Sequence, residues 1–393
     1  MNKKKNNFIC DIGECTGCHA CFGACPEQCI SMKPDPEGFL QPEIDLDRCI
    51  GCGKCRAVCP VLKQYDGNET LAAFAAVNDD DNIRMKSSSG GIFTLLAENI
   101  INRGGVVFGA AFDDDLNVKH IMIDSVNDIY KLRGSKYVQS RIGDAYLTAK
   151  AMLADGRLVL FSGTPCQIGG LKSFLGKEYE NLITQDIICH GVPSPSVWQK
   201  YLEYRQAEQN AKINKTILPE FRNKSTGWHR YSIKLSFCGG SEYMQTIDKD
   251  LFMRAFLQNL SLRRSCYQCH FKSLKREGDL TLADFWGGEQ QVPELFDNKG
   301  TSLVLINSEK GARLFDSVNA KRVETDAVRA VCPNEAAYRS VDKPEKREYF
   351  FNSLCTENFG KAVKKYAKIS IKKSVYNKIR SSGGRILRAM KLR

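Results

Sequence analysis

Two runs of cysteine occupy the first sixty residues and leave that stretch little freedom in how it folds. Cys15, Cys18, Cys21 and Cys25 are spaced by two, two and three residues and end in Pro26. Cys49, Cys52, Cys55 and Cys59 repeat the spacing and end in Pro60. Three thiolates two residues apart can wrap three irons of one cubane from a single turn of chain. The fourth, held away by three residues and a proline, reaches the other cubane. The spacing therefore predicts two 4Fe–4S clusters. One would sit on Cys15, Cys18, Cys21 and Cys59, the other on Cys49, Cys52, Cys55 and Cys25. Gly17, Gly51 and Gly53 let the backbone approach the clusters and offer N–H groups to their sulfurs. Paired C-x2-C units also bind zinc, but zinc sites rarely use three evenly spaced cysteines plus a fourth before proline, here twice over. Cys10 and Cys29 fall outside the pattern and are read as unligated.

Residues 1–62 thus read as a small bacterial-type ferredoxin domain, carrying ten of the seventeen cysteines in the 393-residue chain. Clustered cysteines that bind metal imply a reducing compartment. The opening MNKKKNNFICDIGEC is basic but has no apolar segment behind it, so it does not read as a signal peptide. No run approaches the roughly 18 apolar residues of a membrane-spanning helix. A cytoplasmic location is expected. The net charge of +12 is unevenly spread: Lys361 to Arg393 holds twelve Lys and Arg and no Asp or Glu. Taking those twelve from the 57 basic residues leaves 45, equal to the acidic count. A neutral body with a basic tail argues against a nucleic-acid groove.

The rest of the chain divides by composition into 63–155, 156–345 and a basic tail over 356–393. IFTLLAENII (92–101), SVWQKYLEYRQAEQNAK (196–212) and LFMRAFLQNL (251–260) read as helices. GGVVFGAAF (104–112), RLVLFSG (157–163), LITQDIIC (182–189), RYSIKLSF (230–237) and TSLVLINS (301–308) read as strands. The fold class expected is mixed α/β and α+β: a small ferredoxin domain, then a two-part mixed-sheet body like that of a flavoprotein.

Six phrases, in order, carry a family resemblance: SSSGGIFTLLAENIINRGGVVFGAAF (87–112), LRGSKYVQS (132–140), LFSGTPCQIGGLKSFL (160–175), DIICHGVPSPSVWQKYL (186–202), SCYQCHFKS (265–273) and GDLTLADFWG (278–287). Over roughly residues 70–345 the chain resembles the beta subunit of coenzyme F-420 hydrogenase/dehydrogenase. Stretches 63–155 and 156–345 resemble that family's N-terminal and C-terminal regions. The resemblance implies an iron–sulfur flavoprotein oxidoreductase that passes electrons between clusters and an organic acceptor through FAD. The fused ferredoxin resembles the branch associated with surface-polysaccharide biosynthesis, which implies a sugar-related substrate.

Several residues in these phrases suit that chemistry. Ser87, Ser88, Ser89, Gly90 and Gly91 form a small-residue loop before a helix, fit for a flavin phosphate, although on these residues alone a serine N-cap with a glycine turn is the commoner explanation. Lys136 could add a cation to the pyrophosphate or stabilise a reduced flavin; a solvated surface lysine is the plain alternative. Gly163, Thr164 and Gln167 follow a buried strand, where ligands collect in open α/β sheets. Cys166, Cys189, Cys266 and Cys269 are the four cysteines within the resembling phrases, enough for a third 4Fe–4S cluster. Cys166 as a redox-active thiol, and zinc on the C-x2-C with His190 or His270, stay open. His190, beside Cys189 at a strand end, is the candidate proton donor.

The tail 364–393 mixes basic residues with Tyr366, Ile369, Val375, Tyr376 and Ile379, which can share a rough helical face suited to an anionic membrane surface; a solvated tail is the alternative. The partners expected are an electron-donor or acceptor protein such as ferredoxin, an organic substrate, and no nucleic acid. A non-catalytic electron-carrier subunit of a larger redox complex is the rival reading.

Overall fold

Short runs that are apolar at nearly every position cannot leave one face in water, so they belong in the middle of a sheet covered on both sides. The computed structural model, which describes residues 9–63 and 67–368, places them there. The ferredoxin module comes first: a helix Ala20–Ala24, a hairpin of β1 (Ile30–Pro34) and β2 (Leu40–Ile44), and a helix Lys54–Ala57. Then follow β3 (Ala72–Val77), β4 (Val106–Phe112), β5 (Val118–Ile123), β6 (Val159–Ser162) and β7 (Leu182–Ile187). A separate antiparallel sheet holds β8 (Glu220–Asn223), β9 (Ser232–Ser236) and β10 (Glu242–Thr246). The chain then returns with β11 (Leu280–Asp284), β12 (Ser302–Ile306) and β13 (Lys321–Thr325).

Eight strands form one mixed sheet in the order β13-β3-β12-β11-β7-β6-β4-β5. Its centre (β4, β6, β7 and β11) is parallel, and both flanks are antiparallel. The expected stretches 63–155 and 156–345 are interleaved in this sheet, since β3 pairs with both β12 and β13. One face is covered by the helices Ile92–Asn102 and Glu309–Asp316, through Leu96, Ile100, Leu314 and Phe315. The other is covered by Ala145–Ala154 and Pro165–Leu175, whose core with Phe108 and Phe161 also includes Cys18 and Ala20 of the ferredoxin module. A second lobe packs Trp198, Tyr201, Phe221 and Phe252 against the helices Arg347–Thr356 and Phe359–Tyr366. Each such buried side chain contributes about 1.5–3 kcal/mol.

The helix Phe359–Tyr366 corrects one expectation. The basic tail does not start at 356, because Phe359, Ala362 and Val363 are buried on the second lobe. Apolar residues at that helical spacing find a core before they find water or lipid. Ile369, Val375, Tyr376 and Ile379 lie outside the described residues.

The ferredoxin module is fastened to the body by buried polar groups. Glu37 accepts from Arg347 at 2.7 and 2.5 Å and from Arg264 at 2.8 Å. Its carbonyl accepts from Ser194 and Ser196. Arg263 donates to the carbonyls of Cys15 (2.7 Å) and Leu40 (3.0 Å), and Gln139 donates to the carbonyl of Thr16 (2.9 Å). Gly169 and Gly170 would ordinarily weaken the helix Pro165–Leu175 by about 1 kcal/mol each. Their use is steric. A Cβ at Gly170 would stand 2.9 Å from the Cys18 Cβ, and one at Gly169 would stand 2.7 Å from Phe271.

Candidate metal centres and flavin segments

The first cysteine run lies inside the protein. Cys15, Cys18, Cys21 and Cys59 line one enclosed cavity together with Cys10, Thr16 and His19. Burial pushes the Cys18 thiol up to about 12 and the Cys21 thiol well above its ordinary value. A buried sulfur of this kind carries charge only when a metal takes it up. Cys10 sits by Cys15 and Cys59; its hydrogen bond draws Cys15 down to about 6 and Cys59 to about 7.

The second run faces outward. Ile50 to Lys54 are all exposed, Cys52 among them. Cys25, Cys49, Cys52 and Cys55 are nonetheless electrostatic neighbours: burial raises Cys55 most, and the other three add to it. Gly51 N–H points at the Cys49 sulfur at 3.4 Å, and Cys29 lies 3.4 Å from Cys25.

A third set of thiols meets at the carboxyl edge of the parallel strands. Cys166 stands in the first turn of the helix after β6, and Cys189 two residues beyond β7. Cys266 lies in, and Cys269 just after, a 3-10 turn (Arg264–Gln268) before β11. All four line one cavity, with Thr16, His190, Arg263, Lys272 and Arg276. Burial raises every one of these thiols, Cys266 to about 12. The three cations offset the charge that four thiolates bring, and Lys272 also donates to the carbonyls of Cys189 and Ala336. Among the described residues no three His, Cys, Asp or Glu converge on a single-ion position. The four sulfurs line one shared space. Of the two zinc candidates, His190 lines the cavity, while His270 is half exposed and lies 3.8 Å from Glu14.

The flavin segments are placed differently. The loop 87–91 and the turn 134–136 do meet: Ser88 Oγ lies 2.8 Å from Ser135 Oγ and accepts from Ser135 N–H. Their polar side chains are already engaged. Ser87 donates to the Ile83 carbonyl, Ser89 to that of Thr301, and Gly90 N–H to Ser302. Lys136 corrects an expectation. Its ammonium caps the carbonyls of Leu132, Arg133 and Gly134, and burial lowers it to about 7. Short-range carbonyls win because they cost little chain entropy to reach. These side chains do not fit a phosphate cradle. Gly163, Thr164 and Gln167 lie elsewhere, around Cys166 at the start of the helix Pro165–Leu175. Thr164 and Gln167 form a capping box, and Gln167 also donates to the Ser140 carbonyl. His190 Nε2 is 2.8 Å from Asn259 Oδ1, and burial lowers its pKa. It stands beside the cysteines, not at an open substrate pocket.

Sequence reasoning missed Thr16, His19 and Arg263. Both nitrogens of His19 are buried without a hydrogen-bond partner among the described residues, and the buried Thr16 hydroxyl meets the Cys18 thiol. Their places between cluster cysteines were the available signal. Arg263 had none, since its partners, the Cys15 and Leu40 carbonyls and the Gln139 side chain, all lie far along the chain.

The N-terminal profile of the coenzyme F420 hydrogenase/dehydrogenase beta subunit matches residues 73–145, and the C-terminal profile matches 156–331. Together these span more than half of the chain and contain Cys166, Cys189, Cys266 and Cys269. The chain belongs to this family. Two 4Fe–4S dicluster profiles match residues 14–62 and 41–90. This F420 hydrogenase/dehydrogenase beta-type chain is therefore an iron–sulfur subunit of the electron-transfer, oxidoreductase kind. Among solved structures it is similar to a chain of the F420-reducing NiFe hydrogenase complex from Methanosarcina barkeri, at 16% identity and a TM-score of 0.45, over 70% of this chain and 91% of that one. None of the curated proteins matches it. Among the described residues no helix is long and apolar enough to cross a membrane.

Proposed function

We propose that the protein is an iron–sulfur flavoprotein oxidoreductase in which a third 4Fe–4S cluster, on Cys166, Cys189, Cys266 and Cys269, links the ferredoxin module to the substrate side. The observation that carries this reading is the cavity itself. Four thiols from three separate segments line it, with Arg263, Lys272 and Arg276 to balance their charge. A flavin, when bound, supplies the exchange between one-electron and two-electron chemistry. With the serine hydroxyls and Lys136 engaged, its phosphate contacts would fall to backbone N–H groups at Gly91 and Ile92, where the helix Ile92–Asn102 has no side-chain cap. A sugar-related substrate and a peripheral membrane contact through residues 369–393 belong to the same proposal. Flotation with anionic liposomes tests the contact.

The engaged side chains favour a second reading, an electron-carrier subunit without a flavin of its own. Cofactor content per chain after anaerobic purification separates the two. About twelve irons with one flavin supports the enzyme; about twelve without flavin supports the carrier. About eight irons removes the third cluster from both.

A further inference from the structure

The two cysteine runs match residue for residue, and the match pairs Thr16 with Ile50 and His19 with Gly53. Their surroundings differ. Thr16 is 8% exposed and Ile50 64%. Thr16 lines the inner ferredoxin cavity and also the four-cysteine cavity of the body. Its buried hydroxyl makes no bond to nitrogen or oxygen among the described residues and meets the Cys18 thiol instead, drawing that thiol down against its burial. Buried donors are nearly always satisfied, and the acceptor within reach of this one is a sulfur of the inner cysteine set. The backbone there is held from both sides. Gln139 takes the Thr16 carbonyl, Arg263 takes the Cys15 carbonyl, and Arg263 Nη1 donates to Gln139 Oε1 at 3.0 Å.

We propose that Thr16 bridges the ferredoxin module and the body: its hydroxyl donates a hydrogen bond to a sulfur of the inner 4Fe–4S site, at the wall this site shares with the four-cysteine site. The inference rests on the third-cluster reading above. It orders the centres, with the run around Cys52 outermost, the run around Cys18 next, and the four-cysteine site innermost. With both clusters bound, one electron crossing at Thr16 would oxidise one site by one unit and reduce the other by one, with no bond made or broken.

Full-length protein is purified anaerobically, its iron counted, and its centres followed by redox titration monitored by electron paramagnetic resonance. Thr16→Val keeps the shape and removes the donor. At full iron content one of the three potentials should become more negative, because a lost hydrogen bond destabilises the more anionic reduced state. Thr16→Ser should restore it, and Ile50→Val should move none. In the fully reduced wild type, the inner site and the body site should show spin–spin coupling, a readout that needs no variant. Three unmoved potentials in Thr16→Val, or no coupling in the wild type, with about twelve irons present, overturn the bridge and leave the third cluster standing. A wild-type content of about eight irons overturns both.

Discussion

Cys15 to Cys21 and Cys49 to Cys55 share one spacing, and each leads into a short helix through a residue of positive φ, His19 at 64° and Gly53 at 75°. The first run is buried along its whole length, part of the core beneath the large sheet, and the second is exposed from Ile50 to Lys54. The same local pattern therefore does two jobs. Where the body covers it, its side chains are packing residues as well as ligands. Where it faces solvent, it is a ligand set and little else.

The sharpest way to break that comparison is to remove one ligand from each run. Cys18→Ala and Cys52→Ala should each lose one cubane of iron, about four atoms per chain. Only Cys18→Ala should also destabilise the body, by about 2 kcal/mol or more, because it opens a gap against Gly170 and Tyr146. Iron analysis with denaturant unfolding checks both, and equal loss of stability would erase the distinction.

Glu37→Gln tests the fastening of the buried side. It leaves Arg347 buried without its counter-charge, and a cost of about 3–5 kcal/mol is expected in the unfolding free energy. The same carboxylate gives a pH signature. Burial alone would raise its pKa, but Arg347 and Arg264 hold it below the ordinary carboxylate range. Its contribution is therefore complete above the unfolded-state value and fades as pH falls through the folded one. Wild type and Glu37→Gln should converge in stability on acidification.

Gly170→Ala should come next. Its new Cβ would meet the Cys18 Cβ, the Cys18 sulfur and the Tyr146 hydroxyl at 2.9–3.0 Å, so iron at the inner site should fall while the outer site keeps its own. The smallest effect belongs to Gly53→Asn. Nothing lies within 4 Å of a Cβ there, and His19 already holds the equivalent conformation, so a change below about 1 kcal/mol and unchanged iron are expected. A large loss in Gly53→Asn would show that the outer run, too, is packed against something.

Much of the architecture was legible in the residues. Apolar runs at 104–112, 157–163, 182–189 and 301–308 each hold a sheet strand, trimmed by one or two residues at one or both ends. Helices at 92–101 and 196–212 hold to within three residues. Period and composition are local properties, and local properties can be read one segment at a time. The insertion of β3 between β12 and β13 could not be read that way, because antiparallel pairing across more than two hundred residues leaves no local mark.

The candidate sites divide along the same line. The chain by itself determined which cysteines come in sets, since ligand spacing within a turn is a matter of bond lengths and backbone reach. It also determined the family, through six short phrases in order. Only the tertiary structure decided that Cys166, Cys189, Cys266 and Cys269 share a cavity, that Lys136 spends its charge on nearby carbonyls, and that Thr16 stands between two thiol sets while Ile50 meets solvent. The reason is physical: spacing fixes what a loop can bind, but burial and partners depend on what the remaining chain brings against it.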